Sequence, residues 1–374
     1  MPQITLISNG RTWTGFQTVS ILKSMDDVVH ALTLQTTDRA NEGIERWNVQ
    51  GGSAIQVEID GVLSFDGYVT RYSPNIGAES HSISIDASSR AIDIVECSHD
   101  GRVFWKNVSA ESIIREVIAP FGLALDIQSP MKAIGKTGFR VGVDESPFSI
   151  IRTLAEKNGL SVYSLVDGTI VLSRTPSEEI VSTIGRGQYV SMSTNHDLSQ
   201  SFSEVIVKSQ QNTTEKDFAG QQRVERRFDN TAQTRHRPLV VIKNGTDEEQ
   251  RDFAQMAQRR FSGNVLGATV TVKSAFRNPT NGPRMMWDIN AIVFVDEPAA
   301  DVSQNLLIKE VEFSVSEGQG FQTNLILGLA ESYDYLTPDR PQTITPAIIG
   351  QGMEQRRAIG PFADLMGSLR QAFG

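Results

Sequence analysis

At 374 residues, with 39% hydrophobic residues and a formal charge of −9, the chain has room for about two to four domains with real cores. Its one cysteine, Cys97, excludes an internal disulfide framework and any multi-cysteine metal site, and a buried, inert thiol is the expected state. No apolar run approaches the ~20 residues needed to cross a bilayer, and Met1-Pro2-Gln3-Ile4-Thr5 carries no signal-peptide pattern. The acidic balance argues against a protein that coats nucleic acid by neutralising phosphates.

Residues 1–98 read as β. Gln3 to Ile7 alternates, and Asn9-Gly10 is a two-residue hairpin signal before Trp13 and Phe16. Val19 to Leu22, His30 to Leu34 and Ile55 to Ile59 follow as strands. Asp60-Gly61 turns the chain into Phe65 to Val69, and Ser82 to Ile85 closes the set. Short strands at this spacing predict a barrel or sandwich.

Residues 99–176 say one thing twice. Ser112-Ile113-Ile114-Arg115 and Ser149-Ile150-Ile151-Arg152 are 37 residues apart, as are Gly122-Leu123 and Gly159-Leu160. Ser109 and Ser146 stand where an N-cap oxygen would sit, with Pro147 at the first helical position. Ile113, Val117 and Phe121 form one apolar stripe, Ile150 and Leu154 another, and each glycine supplies a left-handed residue that ends a helix. This predicts a small α/β module of two helix–Gly–strand units, the second closed by a hairpin at Asp167-Gly168.

Residues 177–335 are β-rich again, with one helix predicted at about 247–262 and a polar stretch, 216–237, read as an extended loop or long exposed hairpin. A second echo links the two β regions. Trp47, Val49, Ile55 to Val57, Gly67 to Tyr72 and His81 to Ile85 recur in order as Trp287, Ile289, Ile292 to Val295, Leu307 to Phe313 and Phe321 to Leu327. The expected fold is therefore α+β, mainly β, with two related tube-like β-barrel or sandwich domains flanking the α/β module. Pro338, Pro341 and Pro346 make an extended arm of the segment after 335. Phe362, Leu365, Met366, Leu369 and Phe373 then form an amphipathic stripe suited to another subunit or partner.

Catalytic signals are weak. Gly135-Lys136-Thr137 resembles the end of a phosphate-binding loop, but Pro130 occupies the place of its first glycine. His30, His81, His99, His196 and His236 are scattered without metal-ligand spacing. No Gly-x-Ser-x-Gly elbow exists, and the adjacent pairs Asp26-Asp27, Glu178-Glu179 and Glu248-Glu249 diverge on either a helix or a strand. No cofactor is expected. Arg223, Arg226, Arg227, Arg235 and Arg237 cluster around Phe228. They suit acidic surfaces of a protein partner better than a nucleic-acid patch.

Many small features together resemble the Mu-like baseplate hub proteins of contractile-tailed phages, relatives of the T4-type central hub and the type VI secretion spike hub. They are Leu6-Ile7-Ser8-Asn9-Gly10 with Trp13-Thr14-Gly15-Phe16, Ser88-Ser89-Arg90 through Cys97-Ser98, the paired helix–Gly–strand units, Arg235 through Val241, and Leu307-Ile308-Lys309-Glu310-Val311 with Gly320-Phe321-Gln322-Thr323. The resemblance implies a non-enzymatic homotrimer in the virion baseplate, assembled in the host cytoplasm. Its partners would be a tail tube or tube-adaptor protein, a central spike and baseplate wedge proteins, with DNA passing through without specific binding and no membrane involved. A type VI secretion-like spike hub is the alternative within this class. From another class, a carbohydrate-active or glycan-binding tail-tip protein is the alternative.

Overall fold

Period-two alternation of apolar residues does most of the building. The computed structural model describes residues 2–333 apart from 37–48, 78–80, 135–137, 175, 177–178, 200, 210–222, 229–234, 243–246, 264, 278–284 and 317. Trp47, Gly135-Lys136-Thr137 and the segment from 334, with its arm and apolar stripe, lie outside the described residues. Two compact units result, one of Met1–Asn195 with Gly267–Ala330, the other of His196–Leu266 with the residues from Glu331.

The first unit begins with strands β1 (Ile4–Ser8), β2 (Arg11–Trp13), β3 (Thr18–Ser24), β4 (Ala31–Thr36), β5 (Ala54–Ile59), β6 (Val62–Ile76) and β7 (His81–Ser89). The hairpin signals hold. Asn9 and Gly10 have φ of 51° and 73°, Asp60 and Gly61 of 50° and 77°, the left-handed pairs that match strand twist. Along β3, Val19, Ile21 and Lys23 are buried while Thr18, Ser20 and Leu22 are only half-buried, so one face is core and the other is not.

The module follows as α1 (Ile92–Glu96), β8 (Phe104–Trp105), α2 (Ala110–Ile118), β9 (Leu125–Ile127), β10 (Phe139–Arg140), α3 (Pro147–Asn158), β11 (Ser161–Ser164) and β12 (Ile170–Ser173). The Oγ atoms of Ser109 and Ser146 accept the N–H groups of Ser112 and Ser149 at 3.1 and 3.2 Å. Gly122 and Gly159 end the two helical segments at φ of 65° and 62°. Ile113, Val117, Ile150 and Leu154 are fully buried in one core with Trp105 and Leu172. The small sheet runs β11-β12-β9, with β9 parallel and β11 antiparallel to β12. Cys97 departs from expectation, being exposed rather than buried. The five-residue helix α1 stops at Glu96, and the extended backbone of Cys97 turns it off the face on which Ile94 is buried.

The rest of this unit is β13 (Ile180–Gly185), β14 (Ser191–His196) and, after the second unit's strands β15 (Glu204–Ser209), β16 (Arg223–Phe228) and β17 (Pro238–Ile242) and helix α4 (Asp247–Gly263), β18 (Leu266–Val272), β19 (Phe276–Arg277), β20 (Met285–Met286), β21 (Ile292–Glu297), β22 (Val302–Ser316) and β23 (Gly320–Gly328). The main sheet has 13 strands. Its first half runs β3-β4-β7-β6-β5-β1 and its second β14-β18-β23-β22-β21-β13, the same order of corresponding strands. In both halves the fourth strand, β6 or β22, is 15 residues long. Each breaks register against its neighbour, between Val69 and Arg71 and between Ile308 and Glu310. One difference stands: β1 meets β5 antiparallel, whereas β13 meets β21 parallel.

The fold is mainly β with few short helices, and the large sheet is almost wholly antiparallel. Of the barrel or sandwich expected for each β region, a closed barrel is formed by neither half among the described residues. The edge that could close the first half is taken, because β3 pairs antiparallel with β22 from Val19↔Val315 to Ser24↔Glu310.

In the second unit, β15 lies between antiparallel β16 and parallel β17. Val205, Val207 and Val241 pack with Phe253, Ala254 and Phe261 of α4, which occupies the span predicted for a helix. Phe202 meets Phe261 edge-on at 4.9 Å between centroids.

Each half has one glycine where its long strand crosses the next, Gly67 opposite Ser89 and Gly328 opposite Leu307. A Cβ on Gly67 would sit 2.1 Å from the Ser88 carbonyl oxygen, and one on Gly328 would meet the flexible Lys309 side chain at 2.6 Å. Gly67→Ala should therefore cost about 2–3 kcal/mol in denaturant unfolding, because backbone must move. Gly328→Ala should cost clearly less. Equal losses would mean that the β6–β7 approach is not the tight one.

Candidate functional site at the joint of the half-sheets

The β3–β22 ladder buries a polar knot that neither half could hold by itself. Inward residues Val19 and Ile21 of β3 join Val311 and Phe313 of β22 in the core. Lys23, next in that inward register, is only 2% exposed, and its ammonium reaches Asp288 Oδ1 at 3.3 Å and sits 5.6 Å over the Phe313 ring. A buried ammonium needs such company to offset lost hydration. Asp288 keeps one side in water, being 48% exposed, which limits the desolvation on its own part.

The α/β module closes the knot from the other side. The Ser164 hydroxyl donates to the Val28 carbonyl at 2.7 Å, leaving its oxygen to accept from His30 Nε2–H at 3.3 Å. The neutral Nε2–H tautomer is thereby assigned. Asn290 Nδ2 donates to the Tyr163 hydroxyl at 2.8 Å. Burial, and then the charge of Lys23, lower the His30 pKa from 6.5 to about 4, with Asp288 and Ser164 opposing. Sequence reading missed this group. The available signal was a lysine in phase with Val19 and Ile21, which alternation places inside.

The outward face at the joint is mostly polar, with Leu22 and Ile326 as apolar members. Ser20 donates to Glu312 at 2.8 Å, Asn324 to the other oxygen of Glu312 at 3.1 Å, and Thr271 to Asn324 at 2.8 Å. In the first half Thr33 donates to Asp86 at 3.3 Å, and Arg71 stands 3.8 Å from the same carboxylate. Burial raises the Glu310 carboxyl above its ordinary range, and Glu312 and Asp26 add to the shift against Lys309. This arrangement holds two half-sheets in register and presents a hydroxyl-rich, acidic surface. Among the described residues, no group of His, Cys, Asp and Glu is disposed to hold a metal ion.

The five arginines singled out from sequence all fall in the second unit, on β16 or just before β17. Arg223, Arg226 and Arg227 lie on β16, with side chains outside the described set, and the register puts Arg226 opposite Ile206. Arg235 is exposed just before β17. Arg237 is engaged within its own unit: its guanidinium donates to the carbonyls of Leu198 and Ser199 at 3.2 and 2.7 Å and stacks 5.9 Å from the Phe202 ring. Phe362, Leu365, Met366, Leu369 and Phe373 lie outside the described residues.

Two titrations test the knot and the polar face. Between about pH 6.5 and 4 the unfolded chain binds a proton at His30 that the folded chain refuses, so stability is full above that window and lost as pH falls through it. Going from pH 7 to 5 should cost about 2 kcal/mol through this group, seen as a Tm slope that His30→Gln flattens. For Glu310 the sign reverses, because a raised carboxyl pKa penalises the folded state at neutral pH and acid relieves it. Glu310→Gln should raise Tm at pH 7, with the gain shrinking as pH approaches 4.5, the ordinary value for this carboxyl.

Comparison with known proteins bears on both halves. Residues 3–89 match the N-terminal domain model of Mu phage GpP-like baseplate assembly proteins, and residues 91–174 match the second domain of gp44-like baseplate hub proteins. The baseplate hub protein gp44 of Escherichia phage Mu is 22% identical over 342 residues, 88% of each chain. The 43 kDa tail protein of prophage MuSo2 from Shewanella oneidensis has a TM-score of 0.77 at 22% identity, covering 89% of this chain and 100% of that one. The E. coli c3393 protein, a type VI secretion component described as similar to T4 tail proteins gp27 and gp5, has a TM-score of 0.56 at 10% identity, covering 86% of this chain and 76% of that one.

Proposed function

We propose, from the premise that this chain belongs to the gp44 family of Mu-like baseplate hub proteins, that it forms a trimeric ring joining a sixfold tail tube to a threefold central spike. The family is structural, a component of the phage tail baseplate, and the proposed role requires no reaction. One observation carries the reading: a single chain lays down the same six-strand order twice in one continuous sheet. Three such chains offer three times two, or six, similar segments to a sixfold tube, while the chain itself repeats only three times toward a spike. Each half-sheet is then a curved tube segment, and the intervening module, residues 99–176, braces the two.

The outward polar face supplies the channel wall in this reading. Its charged members include Asp86, Glu310 and Glu312 against Arg71. An acidic lining repels phosphates, so DNA passes without being held. Arg223, Arg226, Arg227 and Arg235, with the apolar stripe Phe362 to Phe373, would meet acidic or apolar surfaces of tube, wedge or spike proteins. The protein works in the virion after assembly in the host cytoplasm. A type VI secretion-like hub is the second reading, supported by the fold shared with c3393.

Native mass measurement of the purified protein tests the assignment. A trimer is expected, with no retention of duplex DNA at physiological salt. A strict monomer at micromolar concentration would overturn it.

A further inference from the structure

The internal joint has two halves that recur, unjoined, elsewhere in the same chain. β3 and β22 make it, and by strand order their counterparts are β14 and β6. β22 pairs with β21 over Val302–Leu307 and then, along the same edge, with β3 over Glu310–Val315. β6 begins the same way, against β5 from Val62 to Tyr68, and Gly52 and Ser53 carry that edge to Val69. Beyond it, among the described residues, no strand flanks the β6 end that runs to Ile76, while β7 holds the opposite edge through Ile76↔His81. β14, the counterpart of β3, is the terminal strand of the sheet path and, among the described residues, pairs only with β18.

We infer that β14 of one copy pairs antiparallel with the Ser73–Ile76 end of β6 in the next copy, repeating between chains the β3–β22 ladder found within one. This rests on the hub reading and specifies the contact that closes it. Exposure agrees. At the internal joint Phe313 and Ile21 are buried, but Ser73, Pro74, Asn75 and Ile76 are exposed, as are Ser191, Ser193 and Asn195 of β14. Ile76 is 77% exposed at an edge, a liability for a chain that stays alone. Pro74 is a residue that strands tolerate at edges, and it leaves the joint at most one donor short of its internal model. The direction agrees too. Val190 N–H reaches the Thr271 carbonyl and Asp197 N–H the Val265 carbonyl, so β14 runs antiparallel to β18 as β3 does to β4. A contact between two different edges of the same molecule is head-to-tail, and it closes into a ring when its rotation permits.

The test is disulfide trapping in the full chain carrying Cys97→Ser. One cysteine is placed in β14 (Ser193→Cys or Asn195→Cys) and one in β6 (Ser73→Cys or Asn75→Cys), with each single variant as control. Oxidation of at least one pairing should give a covalently closed trimer on a non-reducing gel, absent from the singles and collapsed by reductant. A native trimer that no pairing cross-links would overturn the strand contact while leaving the hub reading intact. Disulfides confined to single chains would overturn it as well. A monomer by native mass would overturn both.

Discussion

The backbone ladder between β3 and β22 is the constraint on which the first unit depends. It pairs residues from the two β regions at opposite ends of the sheet-forming sequence, Val19 with Val315 at one end and Ser24 with Glu310 at the other. Without it each half-sheet would end in a row of unpaired amide groups, and Phe313 and Ile21 would lose the neighbours that keep them dry. Closing so long a loop costs little more than closing a short one, because the entropic cost grows only logarithmically with length. The ladder's price is therefore met locally, by the apolar side chains it buries.

Lys23 contributes direction more than stability. A leucine there would avoid desolvating an ammonium, and a buried ion pair often adds little over apolar packing. What the lysine adds is specificity of contact. Its partners, Asp288 and the Phe313 ring, both belong to the second half, and the knot's third side, Ser164 and Tyr163, comes from the α/β module. Three parts of the chain thus share one set of hydrogen bonds. The same sheet turns a quiet face outward, where Ser20, Glu312, Asn324 and Thr271 satisfy one another laterally. Polar groups that answer each other in this way have less to offer a passing phosphate backbone, and carboxylates among them repel it.

Much of this was legible as pattern. The serine caps of α2 and α3, Pro147 at the start of α3, and the glycines that close the two helical segments were readable because a helix leaves free N–H groups at one end and favours a left-handed residue at the other, and both demands are local. The hairpins at Asn9-Gly10 and Asp60-Gly61 were readable for the same reason. The echo between Ile55 to Ile85 and Ile292 to Leu327 pointed to duplicated β regions, and the main sheet repeats one strand order. Cys97 was misjudged because burial of a lone thiol depends on where a five-residue helix stops, which propensity does not settle.

Sequence alone determined the strands of the first β region, the helix caps and the tight turns, since each follows from side-chain period or backbone angles over a few residues. Tertiary structure decided that the two β regions share one open sheet rather than standing as separate barrels. It also decided which edge each strand offers its neighbour, and that Lys23, His30, Ser164 and Asp288 meet. Such outcomes depend on pairing between residues hundreds of positions apart, and alternation reports which face of a strand is apolar without reporting what lies beside it.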